Sequence, residues 1–236
     1  MKEELKQYNK VRDSKSVTQW YGKMQSIRAL IQLIPSIGGF LDTLLGIPAY
    51  YFEQERLELL FKYIGDIFES IEHERLNLDW ANTDQFRDIL RIAIESSAKS
   101  RSEEKIKMNA MILSNTLFVE NDGSFMPEEY LLALEDLTPI EISALFTFYE
   151  TVKDQQQLRE SGNAKAAEKL SWRESIKQQC RLDDEDIEFI MKRIQRSGLI
   201  SELVGANLSY SGGSYRINPT FERLVDYLSK NPIYSE

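Results

Sequence analysis

The side chains best suited to chemistry in this chain are few and isolated. There is one histidine, His73, and one cysteine, Cys180. His73 sits in "FESIEHERL", with Glu69 one helical turn before it, so the two can share a face. A metal site wants more nitrogen or sulfur ligands than this chain supplies, and the plain alternative is a solvated histidine on an acidic face. Cys180 falls on an apolar stripe with Trp172 and Ile176, where a thiol acts as a small hydrophobe. Two carboxylate runs stand out, Glu103-Glu104 and Asp183-Asp184-Glu185-Asp186. Both fall at expected helix starts, where negative charge complements the helix dipole. The second run offers oxygen ligands for a divalent cation. It lacks the glycine and the spaced acids of an EF-hand loop. There is no G-x-S-x-G, no phosphate loop and no G-x-G-x-x-G. The expectation is a protein that is not an enzyme, with no catalytic residue, no metal ligand and no cofactor.

Binding is the other option. The net charge of −9 over 236 residues disfavours general adhesion to nucleic acid or anionic lipid. The charge is uneven, however. A basic arm (Lys2, Lys6, Lys10, Arg12, Lys15, Lys23, Arg28) precedes an acidic stretch over 53–95. The arm is either a frayed helix packed on the acidic body or a contact for phosphates or headgroups. Then comes "LIPSIGGFLDTLLGIPAYYF", residues 33–52, with Asp42 as its one charge. Pro35, Gly38, Gly39, Gly46 and Pro48 divide it into short pieces, and Asp42 would be costly in lipid. A buried core hairpin is the preferred reading. The alternative is a switch segment (Pro35, Gly38, Gly39, Phe40, Asp42, Leu44) that inserts into a membrane.

These features need helices to position them. Leu57, Leu60, Ile64, Ile67, Phe68 and Ile71 recur at helical spacing, which predicts a helix from about 48 to 77. "NLDWANTDQ" reads as a loop, with Asn82 and Gln85 as a capping box for a helix carrying Phe86, Ile89, Leu90, Ala93 and Ile94. After "SSAKSRS", Ser102 caps a third helix whose apolar stripe is wide enough to be buried on more than one side. Asp122-Gly123 marks a turn, and Pro127 starts a short helix. Thr138-Pro139-Ile140-Glu141 is a capping box that opens a helix to about residue 150. The polar stretch 151–171 reads as a helical linker or a hairpin around Gly162, and is the candidate domain boundary.

The last 65 residues change grammar. Ser171 and Glu174 frame one helix, and Asp183 and Asp186 open another that Gly198 ends. "LISELVGANLSYSGGSYRI" reads as two or three short strands, and Asn218-Pro219 opens a final helix. That order resembles a winged helix-turn-helix module over about 138–228. Its recognition helix would be 184–197, which begins "DEDIEF" and would repel phosphates there. Its candidate nucleic-acid or partner contacts are Arg173, Lys177, Lys192, Arg193, Arg196 and Arg216. With so diluted a footprint, a protein contact is preferred over DNA.

Two stretches carry a family resemblance: "SSAKSRSEEKIKMNAMILSNTL", residues 96–117, and "EEYLLALEDLTPIEISALFTF", residues 128–148. Together they resemble the Abi-alpha type of bacterial protein, associated with abortive infection of phage-attacked cells. Ile112, Leu113, Asn115 and Leu117 match one part of that pattern, and Leu137, Thr138, Pro139 and Glu141 the other. The resemblance implies a bacterial, phage-defence setting without a mechanism. The expected architecture is mainly α: a helical domain over 1–137 with a basic arm, then a winged-helix-like α+β module over 138–236 containing the polar linker. The expected function is a cytoplasmic accessory or effector protein of phage defence that acts through a protein partner or a second copy of itself. A DNA-binding regulator and a membrane-active effector are the alternatives. "MKEELKQYNK" has no apolar h-region, so no secretory signal is expected, and one cysteine allows no intrachain disulfide.

Overall fold

A computed structural model describes Gly38 and residues 53–70, 76–117, 126–203 and 213–230. Helices hold 77% of these residues, so the chain is mainly α, with a small α+β module near its C-terminus. The basic arm, His73, the Asp122-Gly123 turn and all of 33–52 except the helical Gly38 lie outside the described residues. Contacts divide the chain into two units, Met1–Leu132 with Asp226–Glu236, and Ala133–Val225. The stretch 151–171 lies inside the second unit.

Among the described residues, the first unit is organised by three long helices that pack on one another, Gln54–Glu69, Asp84–Lys99 and Glu103–Asn115. Helix α1 (Gln54–Glu69) buries Leu57, Leu60, Phe61, Ile64, Ile67 and Phe68. These recur at steps of three and four, so one stripe enters the core. The helix is shorter than the expected 48–77: it stops at Glu69, where the Ser70 hydroxyl donates to the Ile67 carbonyl at 2.6 Å. The expected loop after it contains a one-turn helix, α2 (Leu78–Ala81), because the Asn77 side chain accepts the Trp80 amide at 3.0 Å. Helix α3 (Asp84–Lys99) is capped by Thr83, not by Asn82. The Asn82 amide instead donates back to the Leu78 carbonyl at 2.8 Å, which removes it from the capping role.

Helix α4 (Glu103–Asn115) has Ser102 as its cap and packs against both α1 and α3. Burial on more than one side follows, as the wide stripe predicts. Helix α5 (Pro127–Glu135) comes next and carries the first division between the units.

The second unit starts from the capping box. Thr138 Oγ1 accepts the Glu141 amide, and Glu141 Oε2 accepts the Thr138 amide at 2.6 Å. Helix α6 (Pro139–Glu160) then runs ten residues past the expected end at 150. Its second half is polar but made of good helix formers, so it needs no apolar face to persist. A turn at Gly162, with φ +81°, leads into α7 (Ala164–Lys169). Gln155 Nε2 donates to the Leu170 carbonyl at 2.6 Å and fixes that turn back along α6. Helices α8 (Trp172–Cys180) and α9 (Asp184–Arg196) follow, both packed on α6. Strands β1 (Ile200–Glu202) and β2 (Tyr215–Ile217) pair antiparallel, with Ser201 opposite Arg216. Helix α10 (Pro219–Ser229) closes the described chain and carries the second division.

The capping glutamate has a second task. Glu141 is only 2% exposed and forms an ion pair with Arg193 of α9. Replacing Arg193 with alanine leaves a buried carboxylate without its cation. The expected cost is about 1–3 kcal/mol, read as a lower urea midpoint. Glu141→Gln in the Arg193→Ala background should recover part of it; if it recovers none, the ion pair is not the source of the loss.

Candidate functional site

The α+β module gathers all six basic residues named from the sequence. Most of them are already engaged. Arg173, at the start of α8, places Nη2 at 3.0 Å from Glu188 Oε2 and donates to the Gly213 carbonyl at 3.1 Å. Its guanidinium also stacks on the Trp172 ring, 4.8 Å from the centroid. Lys177 pairs with Asp184 at 3.0 Å, and Lys192 with Glu188 at 3.5 Å, one turn apart on α9. Arg193 is held by Glu141. Arg196 and Arg216 are exposed and form no ion pair among the described residues.

Glu188 is the hub of this arrangement. Besides Arg173 and Lys192, it accepts the Tyr215 hydroxyl at 3.0 Å, so α9 is tied to β2. Burial pushes its carboxyl up, but the bonds from Arg173 and Tyr215 and the charges of Arg173 and Lys192 outweigh that and leave it below the usual carboxylate range. Burial and the Glu188 carboxylate together push the Tyr215 hydroxyl far up. Gly213 completes the tie. It has φ +82°, its amide donates to Glu202 Oε1 at 3.2 Å, and a Cβ there would collide with the Arg173 guanidinium. Trp172 stacks edge-on against both Phe148 and Tyr215 beneath this network.

The acidic start of α9 is structural in part. Asp183 caps the helix by accepting the Asp186 amide at 2.9 Å, and Asp184 holds Lys177. Among the described residues no group of three or more histidine, cysteine or acidic side chains is placed to hold a metal ion. Glu103 accepts the Tyr63 hydroxyl at 2.5 Å and Glu104 accepts the Ser102 hydroxyl at 2.7 Å, so this run too is used within the fold. Cys180 is half-buried and its thiol lies 3.5 Å from the Ser143 hydroxyl.

What the sequence did not single out is Phe189. It is 62% exposed in the middle of α9. The buried face of that helix is Ile187, Ile190, Met191 and Ile194. The opposite face runs Glu185, Phe189, Lys192, Arg196: acidic, aromatic, then basic, all exposed. The legible signal was an aromatic off the apolar stripe. A second feature lies in the first unit. Ser96 and Ser97 of α3 accept from Asn109 Nδ2 of α4, each at 3.0 Å, inside the core. This buried polar seam lies in the stretch that carries the family resemblance.

Among the described residues no helix is long and apolar enough to cross a membrane. Compared with known proteins, the chain matches no family model, no curated protein and no solved structure.

The Glu188 network sets a pH dependence. A carboxyl whose folded pKa is depressed contributes stability above its unfolded pKa, about 4.3, and loses it as pH falls through the lower folded value. Wild type should therefore exceed Glu188→Gln in stability at pH 7, with the gap closing below about pH 4. Urea midpoints across that range test it, and a gap that does not change with pH would reject the ionised hub.

Proposed function

We propose that this is a non-enzymatic bacterial protein of the cytoplasm that acts through protein contacts as an accessory or effector of phage defence. The observation that carries the contact reading is the exposed α9 face with Phe189 at its centre. A large aromatic held in water on a rigid helix is the kind of side chain that anchors an interface. The engagement of Arg173, Lys177, Lys192 and Arg193 by acidic partners supports a protein contact over nucleic acid. The defence setting rests on the resemblance of residues 96–117 and 128–148 to the Abi-alpha type. The order of α8, α9, β1 and β2 supports a winged-helix reading of the module.

The test is phage challenge of a bacterial host expressing the chain. Wild type should lower phage plating, and Phe189→Ser should abolish that protection at unchanged urea midpoint, because the side chain is largely in water. Full protection by a stably folded Phe189→Ser protein would remove α9 as the contact.

One observation favours a DNA reading: Arg196 near the end of α9 and Arg216 on β2 are both exposed. A winged module would direct such residues at phosphates. Under the protein-contact reading no gel shift occurs with duplex DNA at low salt. A salt-sensitive shift, lost in Arg196→Glu with Arg216→Glu, would reverse the ranking of the two readings. Membrane insertion rests on residues 33–52.

A further inference from the structure

The exposed face of α9 has a charge order that matches itself. Taking Phe189 as the origin, helical geometry of 100° and 1.5 Å per residue puts Glu185 about 6 Å toward the N-terminus. It puts Lys192 about 4.5 Å and Arg196 about 10.5 Å toward the C-terminus. All three project within about 60° of Phe189, and all three lie on the same side of it. Asp186 and Arg193 fall on the other side, about 4.5 Å below and 6 Å above. Each side of the stripe therefore carries an acid before Phe189 and a base after it at nearly equal height.

We propose that α9 docks antiparallel on α9 of a second copy, about a two-fold axis that passes beside Phe189. The inference rests on the reading of this face as a protein contact, and names the occupant. A two-fold axis lying across two facing antiparallel helices inverts height along the helix and keeps the lateral side. Glu185 of one copy then faces Arg196 of the other, beside Lys192, which Glu188 already holds, while Arg193 stays with Glu141. The two phenylalanines meet at the centre, where each removes the other from water. A parallel arrangement would set acid against acid and base against base, so charge alone selects the antiparallel one. Within the chain, Glu185 and Arg196 form no ion pair among the described residues, so both are available to a partner. The first turn of α9 holds Asp184, Glu185 and Asp186, and its last turn holds Arg193 and Arg196. The helix dipoles of antiparallel neighbours add to the same preference.

One helix pair with one aromatic per copy is smaller than a standard stable interface, so self-association should be weak, with a dissociation constant between about 10 μM and 1 mM. Sedimentation equilibrium of the full chain over that range is the test. Wild type should dimerise, less so in high salt, because the flanking pairs are exposed. Phe189→Ser should weaken dimerisation at least about tenfold. Glu185→Lys and Arg196→Glu should each weaken it alone, since each sets like charges together across the axis. Mixed in equal amounts, these two proteins should recover dimers in part, because both 185–196 contacts of the mixed pair are then between opposite charges, while Lys192 of the Arg196→Glu copy still opposes the positive charge that Glu185→Lys introduces. Urea midpoints near wild type for each variant show that folding is intact. A wild-type protein that stays monomeric at 1 mM overturns the proposal, as does a dimer that the three substitutions leave unchanged. If the protein is monomeric while Phe189→Ser still abolishes phage protection, the contact reading survives and self-pairing does not.

Discussion

A buried carboxylate organises the second unit. Glu141 is almost wholly removed from water, and a charge so placed must find both hydrogen bonds and a counter-ion within the protein. It finds the Thr138 amide at the start of its own helix and the Arg193 guanidinium on α9. The first bond starts α6; the second anchors α9 to it. Ile187, Ile190, Met191 and Ile194 of α9 are buried in the same module. One side chain thereby fixes both where a helix starts and what lies against it.

The same logic of compensated charge runs through the rest of the module. Glu188 gathers Arg173, Lys192 and Tyr215, and Gly213 allows the chain before β2 to approach Arg173 closely. Each pair is partly exposed, so none contributes much alone. As a network around one depressed carboxylate they hold α8, α9 and the β-hairpin in register. Neutralisation also shapes the surface. A helix that reads as basic in its second half carries, after pairing, a balanced face with an aromatic at its centre.

Much of the architecture was legible as punctuation. Ser102, Thr138-Pro139 with Glu141, Ser171, Asp183 and Gly198 each stand where the sequence places a helix end, because capping is local chemistry between residues three or four apart. The misreadings have local causes of another sort. Asn82 and Thr83 compete for one cap, and the winner depends on whether the preceding turn, α2, forms. Residues 151–160, by contrast, are helical, as one reading of that polar stretch has it, because strong helix formers continue a helix already started.

The sequence by itself determined the mainly helical class, the helix starts and the core stripes, since those depend on periodicity and on contacts within a single turn. It also named the six basic side chains of the module. Only the tertiary structure decided which of them are engaged. The partners that hold Arg173 and Arg193, Glu188 and Glu141, lie 15 and 52 residues away along the chain and come close only when the helices pack. Whether an exposed-looking charge is free to meet a partner is a property of what folds against it, and no spacing along a chain encodes that directly.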